Sequence, residues 1–239
     1  MAAEIRGWFV TGTDTEVGKT LVASALTHAC AARGLRTAAM KPVAAGAALR
    51  DGELRNDDVD RLAMADSAGL PRAWTAPYVL REPAAPHIAA AMEGVQIELA
   101  HLLACYRRVA TAADAVVVEG VGGFRVPLSD GFDSADLAQL VALPGVVVVG
   151  LRLGCINHAL LTAEAIAARG LSLAGWVVNE IDAAMPHRAE NIAALKARLP
   201  APLLGRVPRL TQPGAAAAAS YLDFSRLPGW PGTGLVPNE

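Results

Sequence analysis

The sequence predicts an α/β protein whose mostly parallel sheet is covered by helices on both faces. Short apolar runs rich in β-branched residues alternate along the chain with longer segments of helical periodicity. Each short run is bounded by Gly, Pro or polar residues and is nearly apolar throughout, as is typical of strands buried on both sides. Strands that alternate with helices of this length form βαβ units, which require parallel strands.

The predicted elements follow one another in a regular order. Strands are predicted at residues 8–11, 37–40, 115–118, 146–149, 176–178 and 203–204. Helices are predicted at residues 18–33, 57–68, 96–112, 134–142, 156–169 and 187–198. The helix at 156–169 has a recognisable end, because Arg169 is followed by Gly170 at the C-cap position. Residues 42–56 read as one long polar, glycine-containing loop, and loops of that length tend to be functional.

The length of 239 residues is enough for one sizeable domain. We expect a single domain over residues 1–226. The remaining residues, 227–239, carry several Pro and Gly and show no periodicity, so they are predicted to form a loosely attached tail.

Composition excludes several classes of partner. The net charge of -2 gives no reason to expect nucleic acid or an anionic membrane. No uninterrupted apolar run reaches the roughly 18 residues of a membrane span. The three cysteines are widely spaced and odd in number, which argues against a disulfide framework and for a reducing compartment. A soluble cytoplasmic protein is therefore expected.

A glycine-rich loop between the first strand and the first helix carries the strongest chemical signal. It reads Gly12-Thr-Asp-Thr-Glu-Val-Gly18-Lys19-Thr20. Backbone N–H groups of such a loop and of the helix N-terminus form a pocket for phosphate oxygens. Lys19 would reach the β- and γ-phosphates, and the Thr20 hydroxyl would bind Mg²⁺. Five residues rather than the usual four separate Gly12 from Gly18, but strand, loop and helix agree, so a P-loop NTPase-like fold is predicted rather than an incidental turn.

The third predicted strand ends in a carboxylate, Glu119, which is followed by a Gly-Val-Gly-Gly run. In a P-loop protein an acidic residue at the tip of an apolar strand is the expected second Mg²⁺-organising group. The alternative is a solvated glutamate that only ends the strand. The glycines after Glu119 permit close approach of a ligand to the backbone.

Further charged residues lie near the predicted phosphate site. Lys41 follows the strand at 37–40, where it could balance phosphate charge or stabilise an anionic intermediate. Asp57 and Asp58 begin a helix, where carboxylates ordinarily stabilise the N-terminus. Taken singly, a lysine on a loop is more often simply solvated, and the default role of the two aspartates is N-terminal capping.

The fourth predicted strand is followed by Arg152-Leu-Gly154-Cys-Ile-Asn157-His158 and then a helix. A helix N-terminus preceded by such residues can bind a carboxylate or a phosphate. His158 could be catalytic or structural. Cys155 has no obvious base partner, so a nucleophilic role is disfavoured.

Taken together, these motifs resemble the dethiobiotin synthetase family. The most specific matches are the variant P-loop at 10–20 and the Leu-Gly-Cys-Ile-Asn-His-Ala run at 153–159. The other matching segments are 41–43, 54–56, 82–83, 86–88, 118–120, 122–123, 127–130, 175–176 and Asn179. They follow the family order over most of the chain.

The resemblance implies ATP-dependent closure of a cyclic urea in biotin synthesis. One amine of 7,8-diaminopelargonic acid takes up CO₂ as a carbamate, ATP phosphorylates the carbamate, and the second amine closes the ring to dethiobiotin. ATP and Mg²⁺ are the implied cofactors, and the implied assembly is a homodimer with the substrate site at its interface. Because carbamate and γ-phosphate are both anions, the site needs converging positive charge, which the two lysines and Mg²⁺ would supply.

The family's functional residues carry over by position. Lys41 matches the catalytic lysine, and Lys19 acts beside it. The implied nucleotide-binding residues are Thr15, Glu16, Val17, Gly18, Lys19, Thr20, Glu119, Gly122, Asn179 and Pro208. The implied Mg²⁺ ligands are Thr20, Asp58 and Glu119, where Asp58 is preferred to Asp57 by counting from Asn56. The implied substrate contacts are Lys41, Ala45, Leu153, Gly154 and Asn157, with the loop at 153–157 holding the substrate carboxylate across the dimer interface.

The sequence departs from the family pattern at three places. Ala45 stands where a serine commonly contacts the substrate, and losing one such hydrogen bond costs about 1 kcal/mol. Val121 replaces an alanine in the glycine run after Glu119. Beyond Leu210 the match fades, and no counterpart is found for an acidic residue that contacts the nucleotide.

Two other functions are compatible with a P-loop of this kind. ATP-dependent amidases of cobalamin synthesis have a related synthetase domain, but they usually add a glutaminase domain for which this chain has no room. ParA- or MinD-like switch ATPases carry a signature lysine early in the P-loop, where this chain has Thr11, Thr13 and Asp14. The sequence therefore favours the synthetase.

Overall fold

A computed structural model of the chain describes residues 6–232. The strands are β1 (Gly7–Gly12), β2 (Thr37–Met40), β3 (Val43–Ala44), β4 (Ala48–Arg50), β5 (Glu53–Arg55), β6 (Tyr78–Val79), β7 (Ala115–Glu119), β8 (Gly145–Gly150), β9 (Leu173–Asn179) and β10 (Leu203–Val207). The helices are α1 (Lys19–Ala31), α2 (Asp57–Ala65), α3 (Arg72–Thr75), α4 (Pro86–Met92), α5 (Leu99–Ala112), α6 (Ser134–Val141), α7 (Cys155–Ala168), α8 (Arg188–Lys196) and α9 (Ala215–Ala219). A 3₁₀ turn follows at Phe224–Arg226.

The centre of the molecule is a six-stranded sheet in the order β10-β9-β8-β1-β7-β2. All neighbouring strands of this sheet are parallel. The chain leads from β1 to the β2 edge and returns through β7, whereas β8, β9 and β10 are added on the other side of β1. The sheet thus changes its direction of growth beside β1, and ligands bind at the carboxyl ends of strands at such a point.

Successive residues of the central strands face opposite sides of the sheet, as the pleat requires. Trp8 and Val117 pack in a cluster with α1, α2 and α9, while Phe9 and Val118 pack in a second cluster with α5, α6, α7 and α8. Helices therefore cover both faces. The predicted fold class, a mostly parallel sheet enclosed by helices, is confirmed.

The six predicted strands and six predicted helices are all present, with shifts at their ends. The helix predicted at 57–68 ends at Ala65. The cause is Asp66, whose carboxylate accepts hydrogen bonds from the N–H groups of Ala39, Ala68 and Gly69 and so holds the backbone in an extended conformation. The Schellman-type end of α7 is as predicted, with Gly170 at φ 68°.

The prediction that 42–56 is one irregular loop is wrong. It contains β3, which pairs with β6, and the antiparallel hairpin of β4 and β5. Asp51 and Gly52 at the hairpin tip have φ angles of 51° and 81°, which is the left-handed geometry of tight two-residue turns. The pattern is hidden because the hairpin is exposed and carries little apolar alternation.

The described part of the predicted tail, residues 227–232, is packed against the domain. Leu227 is 4% exposed, and the ring of Trp230 lies 5.9 Å from that of Trp8 and 5.5 Å from that of Phe224. The Trp8 indole N–H also donates to the carbonyl of Pro228 over 3.1 Å. Loose attachment is therefore wrong for this segment, because its apolar side chains complete the core beside α1. Residues 233–239 lie outside the described residues.

Within residues 6–232, no helix has both the length and the apolar character needed to cross a membrane.

Candidate functional site

The glycine-rich loop joins β1 to α1 and is held in place by close packing. Gly18 begins α1 with φ 93°, and a Cβ atom there would lie 2.1 Å from the Asn179 side-chain nitrogen. The same amide nitrogen donates to the carbonyl of Val17 over 2.9 Å. At Gly12 a Cβ atom would lie 2.6 Å from Val17. The loop thus needs glycine at both positions, and the end of β9 fastens it to the sheet.

Lys19 and Thr20 open α1, and both are largely buried. The Lys19 ammonium donates to the carbonyl of Asp14 over 2.8 Å, so the side chain folds back over the loop. The Thr20 hydroxyl donates to Glu119 Oε1 over 2.9 Å. The first turn of the helix is thereby tied to the end of β7.

Glu119 and Lys41 form the centre of the site. Lys41 Nζ lies 2.5 Å from Glu119 Oε1 and 3.2 Å from the carbonyl of Gly120. Glu119 is fully buried, and Lys41 is 3% exposed. Parallel pairing of β2 with β7 brings these two strand ends together. The two predicted residues therefore meet in one buried ion pair.

The geometry distinguishes the two aspartates at the start of α2. Asp58 Oδ2 lies 3.2 Å from Lys41 Nζ. Asp57 points outward and pairs with Arg50 at 2.9 Å. The N-cap role falls to Asn56, whose side-chain oxygen accepts from the N–H groups of Asp58 and Val59. Only Asp58 faces the site.

Lys19, Thr20, Lys41 and Asp58 border a cavity of about 850 Å³. The phosphate loop and its surroundings contribute the following lining residues: Thr15, Glu16, Gly18, Lys19, Thr20, Leu21, Lys41, Ala45, Asp58 and Arg61. The remaining lining residues are Pro83, Ala84, Ala85, Pro86, Val121, Gly122 and Val126. A cavity of this size and mixed polarity falls within the range of small-molecule sites.

The protonation states are set by burial and by the paired charges. Burial, together with the neighbouring Lys41 ammonium, lowers the pKa of Lys19 to about 8. Burial also acts to lower the pKa of Lys41, but the carboxylates of Glu119 and Asp58 outweigh it and raise that pKa. Lys41 is therefore held as a cation. For Asp58, the Lys41 ammonium outweighs the opposing effect of burial, so the pKa of Asp58 is lowered.

The oxygen atoms of the site suit Mg²⁺. Glu119 Oε2 is buried and has no hydrogen-bond partner among the described residues, although such a group is costly to leave unsatisfied. Thr20 and Asp58 bring a hydroxyl and a second carboxylate to the same place. Among residues 6–232 no cluster of three His, Cys, Asp or Glu side chains forms a ready-made metal site. Mg²⁺ commonly binds one or two carboxylates and completes its shell with water and phosphate oxygens, so the donor set fits.

The remaining predicted nucleotide-binding residues fall into two groups. Thr15, Glu16 and Gly122 lie on the cavity wall. Val17 is 1% exposed and packs inside the loop, while Asn179 contacts the loop backbone. Pro208 follows β10 at the same edge of the sheet as Asn179. Asn179 and Pro208 do not border the described cavity.

The predicted substrate loop lies outside the cavity. Leu153 is 90% exposed, and Gly154 and Asn157 are exposed beside it at the start of α7. Of the predicted substrate contacts, only Lys41 and Ala45 border the cavity. The loop is nevertheless joined to the phosphate loop, because the Arg152 guanidinium pairs with the Asp14 carboxylate.

Two cations at the site were not predicted as functional. Arg61 borders the cavity, and Arg152 pairs with Asp14 at the phosphate loop. Arg61 stands three residues after Asp58, and this spacing places both residues on one face of a helix. The spacing is the sequence signal from which Arg61 could have been predicted as a site residue. The Arg152 pairing joins residues distant in the chain and has no local sequence signature.

Comparison with solved structures supports the fold. A ParA family ATPase from Chlorobium tepidum TLS is 14% identical with a TM-score of 0.56, and the match covers 87% of this chain and 86% of that one. The septum site-determining protein MinD from Pyrococcus horikoshii OT3, solved with Mg-ADP, is 15% identical with a TM-score of 0.51. That match covers 86% of this chain and 82% of MinD. At such low sequence identity the similarity concerns the fold alone. It gives no support to the alternative function as a ParA- or MinD-like switch ATPase.

Comparison of sequences identifies the family. A family model described as an AAA domain matches residues 6–217. The ATP-dependent dethiobiotin synthetase BioD of Janthinobacterium sp. (strain Marseille) is 61% identical over 227 residues, which cover 93% of this chain and 96% of the relative. Identity of this level over nearly the full length of both proteins leaves no large region unmatched. The chain belongs to the ATP-dependent dethiobiotin synthetase family.

Proposed function

We propose that the protein closes the ureido ring of dethiobiotin from 7,8-diaminopelargonic acid, CO₂ and ATP. The observation that carries this proposal is that Lys19 and Lys41 both border a cavity of about 850 Å³, with Lys41 paired to the buried Glu119. Membership of the dethiobiotin synthetase family supports the identity of the substrate. ADP and phosphate are the other products.

The chemistry needs two anions close together. A carbamate oxygen attacks the γ-phosphorus of ATP, and the bond from that phosphorus to the ADP oxygen breaks. Lys41, held as a cation by its carboxylate partners, and Lys19, in the phosphate loop, reduce the repulsion between carbamate and γ-phosphate. Because the Lys41 ammonium is already held in place by its carboxylate partners, little reorganisation of this group is needed during the reaction.

The second step is ring closure. The free amine attacks the carbonyl carbon of the phosphorylated carbamate, phosphate leaves, and the proton of the new C–N bond passes to solvent or phosphate. No protein nucleophile is required, which agrees with the burial of Cys155 at 2% exposure.

In this proposal Thr20, Asp58 and Glu119 hold Mg²⁺. When bound, the ion supplies positive charge to the transferring phosphoryl oxygens. The free oxygen of Glu119 supports this assignment. Lys41 keeps the two carboxylates close together, so the lysine positions the metal ligands as well as the carbamate.

We further propose a cytoplasmic homodimer in which the loop at 153–157 of one subunit completes the substrate site of the other. The exposure of Leu153 and the absence of this loop from the cavity wall support a role that needs a second copy. Mixing an inactive Lys41→Met chain with an inactive Gly154→Val chain should restore activity by forming mixed dimers. If light scattering shows that the mixture is dimeric but no activity returns, the proposal of a shared site is wrong.

The test of the reaction is the dependence of turnover on each substrate. Phosphate release should require Mg²⁺, CO₂ or bicarbonate, and the diamine together, and mass spectrometry should detect the cyclic urea. Rapid ATP hydrolysis with the diamine omitted, or no cyclic urea with all substrates present, would refute the proposed function.

A further inference from the structure

Arg61 is a cation on the wall of the site cavity. Arg61 is exposed on α2 and borders the cavity together with Thr20 and Leu21. The carboxylates nearest to it in sequence pair with other cations: Asp57 with Arg50, Asp58 with Lys41, and Asp60 with Arg55. Among residues 6–232, the Arg61 guanidinium takes part in no such ion pair.

The position of Arg61 is fixed by the helix that carries it. Asp58 and Arg61 are three residues apart and share one face of α2. Side chains of a helix lean toward its N-terminus, which directs Arg61 toward Asp58 and the cavity. The Ser24 hydroxyl donates to the carbonyl of Arg61 over 3.5 Å, which joins this turn of α2 to α1. Arg61 therefore stands one turn further from Lys41 than Asp58 does.

The positions of the two lysines indicate which end of a bound triphosphate carries the γ-phosphate. In a P-loop the lysine reaches the β- and γ-phosphates, while backbone N–H groups of the loop and the first turn of the helix contact the α- and β-phosphates. Lys41 and Glu119 lie at the γ-phosphate end. Leu21 follows Thr20 in the first turn of α1, and both Leu21 and Arg61 line the cavity. A guanidinium at that place matches the geometry of phosphate oxygens, which it can bind through two parallel N–H groups.

We propose that Arg61 binds the phosphate chain of the nucleotide on its α/β side. This inference rests on the proposed function for the direction in which the triphosphate lies. Lys19 and Lys41 then serve the phosphoryl group that is transferred, and Arg61 serves the part that leaves as ADP. Arg61 is a binding residue, because the diphosphate it contacts is present before and after the reaction.

The test is nucleotide affinity, measured by isothermal titration calorimetry on the full chain with MgADP and without the diamine. Arg61→Ala should weaken MgADP binding about ten-fold, the effect of losing one hydrogen-bonded charge contact. Arg61→Lys keeps the charge but loses the two parallel N–H groups, so its MgADP affinity should lie between that of the unaltered protein and that of Arg61→Ala, whereas Arg61→Gln should bind as weakly as Arg61→Ala. Arg107→Ala is the matched control, since Arg107 is exposed on α5 and does not border the cavity.

Each other outcome overturns the assignment. MgADP affinity within two-fold of the unaltered protein in Arg61→Ala would exclude the phosphate contact, and a simultaneous rise in KM for the diamine would assign Arg61 to the substrate carboxylate. Recovery by Arg61→Gln but not by Arg61→Lys would indicate a ribose or base contact. Because the titration needs neither diamine nor product, it stands even if the cyclic urea is not formed. Circular dichroism of each variant verifies that the fold is retained.

Discussion

At the scale of single residues, the site depends on a buried charge pair whose members act together. Lys41 contacts Glu119 and Asp58, and Glu119 contacts Thr20. Removing one partner of a buried pair leaves the other uncompensated, so the effects of substitutions here will not be additive. Substitutions must therefore be compared with a neighbour that lies outside this network.

Lys41→Met tests the catalytic lysine. The thioether fills most of the space of the lysine stem but removes the charge beside the carbamate and γ-phosphate, so kcat should fall by about 100-fold or more. The affinity for metal-free ADP should change little, because Lys19 and the loop backbone remain. Steady-state kinetics together with calorimetry measure both quantities.

The Lys41→Met result is interpreted against Lys196→Met, which replaces a lysine in the last turn of α8. The control should retain full activity. A Lys41→Met protein with near-normal kcat would show that the charge of Lys41 has no role in the chemical step.

Asp58→Asn and Asp57→Asn form a matched pair for the metal assignment. Asp58 faces Lys41 and the cavity, whereas Asp57 pairs with Arg50 at the surface. Asp58→Asn should raise the Mg²⁺ concentration for half-maximal activity by roughly ten-fold, because a carboxylate ligand becomes a neutral amide. Asp57→Asn should leave the Mg²⁺ dependence unchanged.

Activity measured across a Mg²⁺ titration, with excess EDTA as the metal-free point, decides between the two aspartates. Equal shifts in both variants, or a shift only in Asp57→Asn, would contradict the choice of Asp58. Full activity in EDTA would contradict the metal requirement itself.

At the scale of elements, the sequence predicts those whose burial leaves a pattern. The strand at 115–118 is apolar because both of its faces lie in the core, and the helix at 134–142 is apolar on the one face that lies in the core. The positions of both elements are confirmed. The short helix α9 is a run of five alanines without caps, and its contacts with α1 stabilise it rather than its own propensity. Exposed or very short elements such as α9 and the β4–β5 hairpin leave no comparable pattern.

The same limit applies to the site. The P-loop and the strand-end residues Lys41 and Glu119 could be predicted because parallel strands bring their carboxyl ends to one edge. The pairing of Lys41 with both carboxylates depends on side-chain geometry and could not. The role of Asn179 as an anchor for the phosphate loop also could not be predicted, because Asn179 and Val17 are far apart in sequence.

Asn179→Ala tests the connection between β9 and the phosphate loop. The substitution removes the donor to the Val17 carbonyl and leaves a buried acceptor unpaired, which should destabilise the protein by about 1–3 kcal/mol. The loosened loop should also bind MgATP less tightly. Thermal unfolding and calorimetry measure the two effects.

The nucleotide preference of the Asn179→Ala protein distinguishes an anchor from a direct contact with the base. An anchor alone weakens ATP and GTP by the same factor, whereas a contact with adenine weakens ATP selectively. Unchanged stability together with a selective loss of ATP affinity would show that Asn179 serves the base and not the loop.

At the scale of the whole molecule, the site and the C-terminal segment lie at opposite ends of the sheet. The phosphate loop follows the carboxyl end of β1, whereas Trp230 packs on Trp8 near its amino end. Arg33, just beyond α1, lies over the Trp230 ring at 5.9 Å. The segment therefore contributes to the core that supports α1 without contacting the described cavity.

Ending the chain after Arg226 tests this division. The truncation removes Leu227 and Trp230 and exposes Trp8 and Phe224, so it should cost about 2–5 kcal/mol of unfolding free energy. For a protein of this size, that loss lowers Tm by about 4–20 °C. A chain ending after Gly232 keeps every one of these contacts and is the matched control for the shorter chain. Because α1 keeps its phosphate loop, the KM for ATP at low temperature should stay the same in both truncated chains. Equal Tm values for the two chains would show that the packed segment at 227–232 adds no stability. A raised KM without a loss of stability would connect this segment to the site.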